Sequence, residues 1–351
     1  QKGATTMKRT IFAVITACSI LALSPQSPAQ SAEITLRLHT FLPPVSNPVK
    51  TFLAPWAKKI GKASNGRIKV QGFWAMQLGG KPPQLLGQVK DGVVDIVWTL
   101  SGFTAGRMPK VEVFELPFVH RNSVSTTLAL QDYQEKHLKD EYKDYKILML
   151  HAHAGAMFMT KKPVSKMADL KGMKLRAHSR TGVWFLQAMG AAGIATPLGR
   201  IPPMLSKGVI DGTILPFEIA PAVKMHELVS YFTQLSGDQP RLGTAVFSFL
   251  MNKKSYAKLP SDLKRIIDAN SGRSIARAVG QNWMDIEKPG EKVMRSKSKN
   301  KFTTLNPAEV AKIRTAGATV IERWYREMSK KGHNGPALLA DARAMIKKYS
   351  K

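Results

Sequence analysis

Two stretches of this chain, Lys90–Trp98 (KDGVVDIVW) and Lys207–Leu215 (KGVIDGTIL), carry a similar helix, turn and strand pattern at widely separated places. Two lobes built from related units would produce that recurrence. The opening of the chain says what kind of unit. Glu33–Thr40 (EITLRLHT) alternates apolar and polar residues as a half-buried strand does, and Phe41-Leu42-Pro43-Pro44 ends it. Pro48–Ala63 then reads as an amphipathic helix, with Phe52, Leu53, Trp56 and Ile60 on one side and Lys58, Lys59 and Lys62 on the other. After the Asn65-Gly66 turn, Arg67–Phe73 (RIKVQGF) is a second strand, so strand, helix and strand begin an α/β domain. The 351 residues suffice for two such domains, each with its own core.

The N-terminus reads as an export leader. Gln1–Thr6 precede Met7 as a translated upstream segment, Met7-Lys8-Arg9 is a basic start, and Ile11–Leu23 is apolar but short for a membrane span. Small residues through Ala32 complete a secretory signal peptide, so residues 1–32 are leader and the mature chain is expected in the periplasm. Cys18, the only cysteine, lies in that leader within an ordinary apolar region rather than an acylation box. The mature chain therefore has no disulfide, thiol nucleophile or cysteine metal site. The formal net charge is +29, and loss of the leader removes only Lys2, Lys8 and Arg9. Such a balance could point to nucleic acid, an anionic surface or small anionic solutes. The basic residues are scattered, and the one local cluster, Arg295–Lys301, has no interleaved aromatics, so no nucleic-acid partner is expected.

Within Asp169–Glu218, Lys171-Gly172 is a turn signal, Met173–Ala177 (MKLRA) alternates as a short strand, and Val183–Met189 is a helical run. Arg176 thus sits near a strand end, where open α/β sheets keep their binding crevices. A guanidinium there can clamp a carboxylate through two parallel charge-assisted hydrogen bonds. Spacing alone favours an arginine solvated at a loop edge or paired with Asp169. Trp98, near the end of the strand Val93–Leu100, is either core or an apolar wall facing a ligand. His151 and His153 share a strand face, but no third ligand stands at metal spacing and they read as sheet histidines. Gly79-Gly80-Lys81 lacks the upstream glycine and the Ser or Thr of a phosphate loop. His226-Glu227 fails the zinc-protease pattern, and no G-x-S-x-G elbow or carboxylate pair suggests catalysis. Neither a cofactor nor a metal is expected. Leu242–Met251 reads as a strand returning to the first lobe, and Ser261-Asp262 as the cap of a long helical region through about Val293, broken at Pro289-Gly290. Pro307–Lys331 and Gly335–Tyr349 are closing helices.

Several ordered motifs together resemble one family. D-L-K-G-x-K-x-R (Asp169–Arg176), an A-x-G-A-like turn (Ala188–Ala191), T-P-L (Thr196–Leu198) and K-G-V-I-D-G (Lys207–Gly212) are similar to the periplasmic solute-binding proteins of tripartite ATP-independent (TRAP) transporters, of DctP type. S-N-G-R-I-K-V-Q (Ser64–Gln71), Q-L-G-G (Gln77–Gly80), Val111–Val119 and M-N-K-x-x-Y-x-x-L-P (Met251–Pro260) extend the likeness over nearly all of the mature chain. The resemblance implies an α/β, two-lobed periplasmic-binding-protein-like fold of the TRAP solute-binding type, with a mixed sheet in each lobe, crossing strands and long helices. Lobe I would comprise 33–153 with 243–281, and lobe II 154–242 with 282–351. It also implies a receptor rather than an enzyme, closing on a solute between its lobes and delivering it to transporter membrane subunits, the mature chain itself not inserting in the membrane.

In the family, the arginine matching Arg176 captures a carboxylate. Three departures bear on the solute. Where many members have D-G-Q-E-N-P this chain has Asp211–Pro216, placing Leu215 at the contacting asparagine; Ala156 stands where sialic-acid binders carry a second arginine; and Leu198 replaces a pocket aromatic. With Trp98, Phe41 and Phe217 nearby, these substitutions imply a small aromatic or branched aliphatic monocarboxylate on Arg176, with His178 or Glu218 bonding a hydroxyl or keto group. A secreted enzyme acting on an anionic substrate and a basic polyanion-binding surface protein are the two other classes the sequence leaves open.

Overall fold

The computed structural model describes residues 34–350, so the leader expected at 1–32 lies outside it. Among the described residues eleven strands form: β1 Ile34–Thr40, β2 Ile68–Phe73, β3 Ile96–Leu100, β4 Tyr145–Ala152, β5 Met157–Thr160, β6 Lys174–Ala177, β7 Ala192–Ala195, β8 Gly212–Leu215, β9 Tyr231–Leu235, β10 Val246–Asn252 and β11 Lys301–Leu305. They make two mixed sheets. The first has the order β2-β1-β3-β10-β4, with β1 parallel to β2 and β3 and with β10 antiparallel to β3 and β4. The second runs β11-β9-β5-β8-β6-β7, with β8, β6 and β7 parallel and β5 antiparallel to both its neighbours. This is a two-lobed α/β architecture.

Local sequence explains the elements that shape the cleft. β3 (IVWTL) is buried along its whole length, as a central strand covered on both faces must be, and its apolar run serves that need. The amphipathic segment from Val49 to Ala63 buries Val49, Phe52, Leu53, Trp56 and Ile60, beginning as a π-turn before it continues as α-helix. The helix Arg180–Ala188 starts at Ser179, whose hydroxyl accepts from the Gly182 N–H.

The chain passes between the sheets at His153–Ala156, after β4, and again at 236–245, before β10. These two crossings are tied to each other: the Ala156 N–H donates to Gly243 O at 2.8 Å and the Leu242 N–H to Ala156 O at 3.0 Å. A third passage is helical. Arg273–Asp285 packs on β4 and on the helix Ser123–His137, whereas Glu287–Arg295 packs on the turn Ala220–Val223 and the helix Met225–Leu228.

That region departs from the sequence expectation. Helices span Ser261–Ala269, Arg273–Asp285 and Glu287–Arg295, with breaks at 270–272, where Gly272 takes φ +55°, and at Ile286. Pro289-Gly290 lies inside the last of these. The proline falls in the helix's first turn, where a missing N–H leaves no helical bond unmade. Pro260, rather than Ser261 or Asp262, occupies the cap of the first, without a side-chain cap bond. The closing helices span Pro307–Lys330 and Gly335–Lys348, and the second packs on Ser123–His137 beside the first sheet.

Candidate functional site

β6 is a four-residue strand between β7 and β8, and it ends at the cleft. Arg176 on it is only 2 % exposed. Its Nε donates to the Thr196 carbonyl at 2.8 Å, just past the end of β7, which fixes the plane of the guanidinium. Asp169, the alternative partner, is occupied elsewhere: its Oδ2 accepts from the Ser165 and Lys166 N–H groups at 2.8 and 3.1 Å. None of the ion pairs among the described residues involves Arg176. Burial without a counter-charge pulls its pKa from 12.5 down to about 9, which still leaves it charged at neutral pH. A buried unpaired cation is costly to keep in a fold, and an anion from outside would offset that cost.

The cavity into which Arg176 opens holds about 480 Å³ of unfilled space, its open mouth included. Its walls are mainly aromatic and aliphatic. Trp98 stacks on Phe247 with centroids 4.4 Å apart and 20° between planes, and on Phe41 at 5.8 Å and 29°. Phe103 meets Phe41 edge-on at 5.0 Å. Trp98 is thus core and wall at once: its indole N–H donates to His151 Nε2 at 2.9 Å, while its ring lines the cavity. Leu198 and Leu215 line it as well, and so does Ala156. Phe41 and Leu198 also line an adjoining, wider groove with Pro43, Pro82, Pro83 and Pro197.

Polar groups in this apolar setting are few. His178 follows β6, with Nε2 3.6 Å from Glu115 Oε2; the other oxygen of Glu115 accepts from the Val246 N–H at 2.9 Å. Glu218 is 2 % exposed, and its Oε2 is buried without a hydrogen-bond partner. Burial first, then the neighbouring Glu287 carboxylate, push its pKa well above the ordinary 4.5. His153, on the first crossing segment, also lines the cavity, and burial drives its pKa well below 6.5.

Of the residues expected from sequence, Arg176, Trp98, Phe41, His178, Leu198, Leu215 and Glu218 converge on this cavity. Phe217 does not line it. Its ring packs beside Phe232 of β9 and Phe302 of β11, at 6.4 and 6.3 Å, under the Arg241 guanidinium. Reversal of the chain after Pro216 turns Phe217 into the core and Glu218 back to the cavity. Sequence reading missed Phe103, His153, Ile219 and Phe247 as wall residues. Phe247 was accessible in principle, since β10 reads as a strand returning to the first lobe; Phe103 and Ile219 sit in irregular segments with no periodicity to place them. Among the described residues no three His, Cys, Asp or Glu are grouped to hold a metal ion, and no helix is long and apolar enough to cross a membrane.

Two sheets joined by crossing segments, with a buried arginine facing an aromatic cavity between them, define a solute-binding receptor of the periplasmic type. Residues 40–328 match the family of bacterial extracellular solute-binding proteins, family 7, or DctP, and the chain belongs to it. Solved structures agree over nearly the whole chain. A marine metagenome TRAP solute-binding protein specific for aromatic acid ligands, crystallised with 3-hydroxybenzoate, is 41% identical with a TM-score of 0.89, the alignment covering 92% of this chain and 100% of that one. A TRAP solute-binding protein of Rhodoferax ferrireducens T118 with copurified benzoate is 41% identical, with a TM-score of 0.88 and coverage of 90% and 98%. A third, from Bordetella bronchiseptica with bound (R)- and (S)-mandelate, is 28% identical, with a TM-score of 0.81 and coverage of 90% and 99%.

Proposed function

We propose that this receptor captures a small aromatic monocarboxylate, with the carboxylate on Arg176 and the ring among Trp98, Phe41 and Phe247. The observation that carries the reading is Arg176 itself, a buried guanidinium with no protein counter-ion at the edge of a stacked aromatic cavity. An aromatic cluster lining the cavity favours a ring over a branched chain, because ring–ring contacts add to the area buried. Leu198, Leu215 and Ala156 leave few groups to satisfy a polyhydroxylated sugar acid. The aromatic acids held by the related structures support the same class. A hydroxyl or keto group on the solute would fall to His178 or Glu218.

In this reading residues 33–153 with 243–281 form lobe I and 154–242 with 282–351 form lobe II, and the strands of each sheet fall within one set. The helix Gly335–Lys348, of the second set, packs on the helix Ser123–His137 of the first. Closure of the lobes around the acid signals occupancy to the membrane subunits of a TRAP transporter. The chain acts without catalysis, in the periplasm, after export through the leader at 1–32.

Thermal shift against benzoate, 3-hydroxybenzoate, mandelate, branched-chain acids and sugar acids tests this. A ligand that binds only the folded state raises stability as its concentration exceeds Kd, so a micromolar binder at millimolar concentration is visible. Aromatic acids are expected to raise Tm. Arg176→Ala should weaken binding by roughly 30-fold to several thousandfold, from about 2–5 kcal/mol for breaking a buried charge pair. Shifts with sugar acids alone, or a benzoate shift that survives Arg176→Ala, would sink the proposal.

A further inference from the structure

The cavity has a second polar pole. Glu218 lies in it together with Arg176, yet no ion pair joins them, so the two groups stand at separate places on the wall. Everything about Glu218 except its side chain is satisfied. Its N–H donates to Glu287 Oε1 at 2.8 Å, and its carbonyl accepts from Asn47 Nδ2 at 2.9 Å. In the side chain, Oε2 is buried with no hydrogen bond at ordinary geometry, and the Trp283 indole N–H, also unbonded, is the donor beside it.

The charges around it disfavour a carboxylate. Glu287, on the helix Glu287–Arg295, is the neighbouring acid, and the cation beside it pairs with Glu287 rather than Glu218: Arg241 Nη2 donates to Glu287 Oε2 at 3.2 Å, with the guanidinium over the Phe217 ring and Nη1 buried without a hydrogen bond. The cavity that Glu218 lines is also lined by His153, whose pKa burial drives well below 6.5, and by Arg176 and His178 of the β6 wall. The Trp283 indole is the only neighbour that favours the ionised form, against burial and the charge of Glu287. Burial and the second carboxylate beside it both favour the protonated form of Glu218. A protonated carboxyl has an O–H to give, which an ionised one lacks.

Building on the aromatic-acid reading, we infer that the uncharged Glu218 carboxyl is a specificity element. It donates a hydrogen bond to a second, neutral oxygen of the bound acid. The site therefore prefers aromatic monocarboxylates bearing a hydroxyl or keto oxygen and turns away aromatic dicarboxylates, whose second charge would meet an acid pair instead of a cation.

Two measurements decide this on the full-length protein. The infrared difference spectrum of wild type minus Glu218→Gln at pH 7 is expected to contain the C=O stretch of a protonated carboxyl; carboxylate bands in its place would overturn the inference, whether or not any ligand is known. Calorimetric titration with benzoate, 3-hydroxybenzoate and isophthalate reads the selectivity. Wild type should favour 3-hydroxybenzoate over benzoate by about tenfold, the worth of one hydrogen bond with a buried partner. Glu218→Gln, which keeps a donor of the same shape, should retain the preference, and Glu218→Leu should abolish it. Isophthalate should bind wild type at least a hundredfold more weakly than 3-hydroxybenzoate. A preference that persists in Glu218→Leu, or tight isophthalate binding, refutes the role of Glu218 while leaving the capture of benzoate intact. If Glu218→Leu does not fold, the wild-type spectrum and the isophthalate arm still decide. Absence of binding by every aromatic acid overturns both readings together.

Discussion

Arg176 tests whether shape or charge holds the solute. Nε is already spent on Thr196 O, so the terminal nitrogens are left for a carboxylate, in a plane the protein has set. Lysine in that place would keep the charge and lose the fork. Arg176→Lys is expected to weaken benzoate by roughly ten- to a hundredfold, from about 1.5–3 kcal/mol for a charge-assisted bond; an unchanged Kd would mean that charge alone suffices. The acid beside Glu218 makes a second prediction. Burial raises the pKa of Glu287 from 4.5 to about 7. Between those values the unfolded chain has lost this proton and the folded one has kept it, so its term lowers stability as pH rises through that window. His120 and His151 act in the opposite direction. Burial lowers them from 6.5 to about 4 and about 3, so their terms remove stability as pH falls below 6.5. Glu287→Gln removes the first effect and eases the like-signed term of Glu218, while the histidine terms stay. Its Tm relative to wild type should rise from pH 5 to pH 7.5, by the equivalent of roughly 3 kcal/mol for a shift of this size; a pH-independent difference would contradict the assignment.

At the scale of elements, the glycines of two short helices give a paired test. A Cβ at Gly290 would run into the Phe217 carbonyl, whereas one at Gly87, in the helix Leu85–Asp91, would meet nothing within 4 Å. Gly290→Ala should destabilise by about 1–3 kcal/mol, as overpacking does. It should also weaken ligand binding, since the displaced backbone leads directly into Glu218. Gly87→Ala should be neutral or stabilise by up to about 1 kcal/mol; equal Tm changes in the two would refute the packing argument. The same contact explains a misreading. Pro289-Gly290 has the composition of a break, but the glycine is there for close approach and the proline for a first turn. β1 and β6 were legible because alternation or a flanking turn marks them. β7 (AGIA) and β11 (KFTTL) were not: both are edge strands, short and little buried, and the second continues a basic tract that reads as loop. Their state is set by pairing with β6 and β9 rather than by local pattern. Seven residues of the candidate cavity were legible because they lie at strand ends or in motifs. Phe217 failed because a chain reversal after a proline cannot be counted by periodicity.

For the whole molecule, the informative contacts are those that join the two sides of the cleft. Arg180, in the first turn of the helix Arg180–Ala188 beside the second sheet, grips Glu112 of the turn Val111–Glu115 beside the first: Nε to Oε1 at 2.8 Å and Nη2 to Oε2 at 2.6 Å. Nearby, a Cβ at Gly102 would collide with Ser179, and Asn47 reaches across to the Glu218 carbonyl. These contacts belong to a closed arrangement, and separation of the lobes would break them. By sequence alone Arg180 carries no family motif, and its removal would be expected to matter much less than that of Arg176. Its place in the fold gives it a distinct role, because it touches no cavity wall while its bidentate pair favours the closed state. A weaker latch lowers the fraction of protein that is competent to retain solute, and apparent affinity falls in proportion to that fraction. Arg180→Ala is therefore expected to accelerate solute release several-fold and to enlarge the radius of gyration in solution, with association little changed, whereas Arg176→Ala should lose affinity at unchanged shape. Glu112→Gln should act in the same direction as Arg180→Ala but less, because burial already raises the pKa of Glu112 and a neutral amide still accepts from the guanidinium. If stopped-flow release and solution scattering are the same for Arg180→Ala as for wild type, the pair is only a packed ion pair and closure is held by the solute alone.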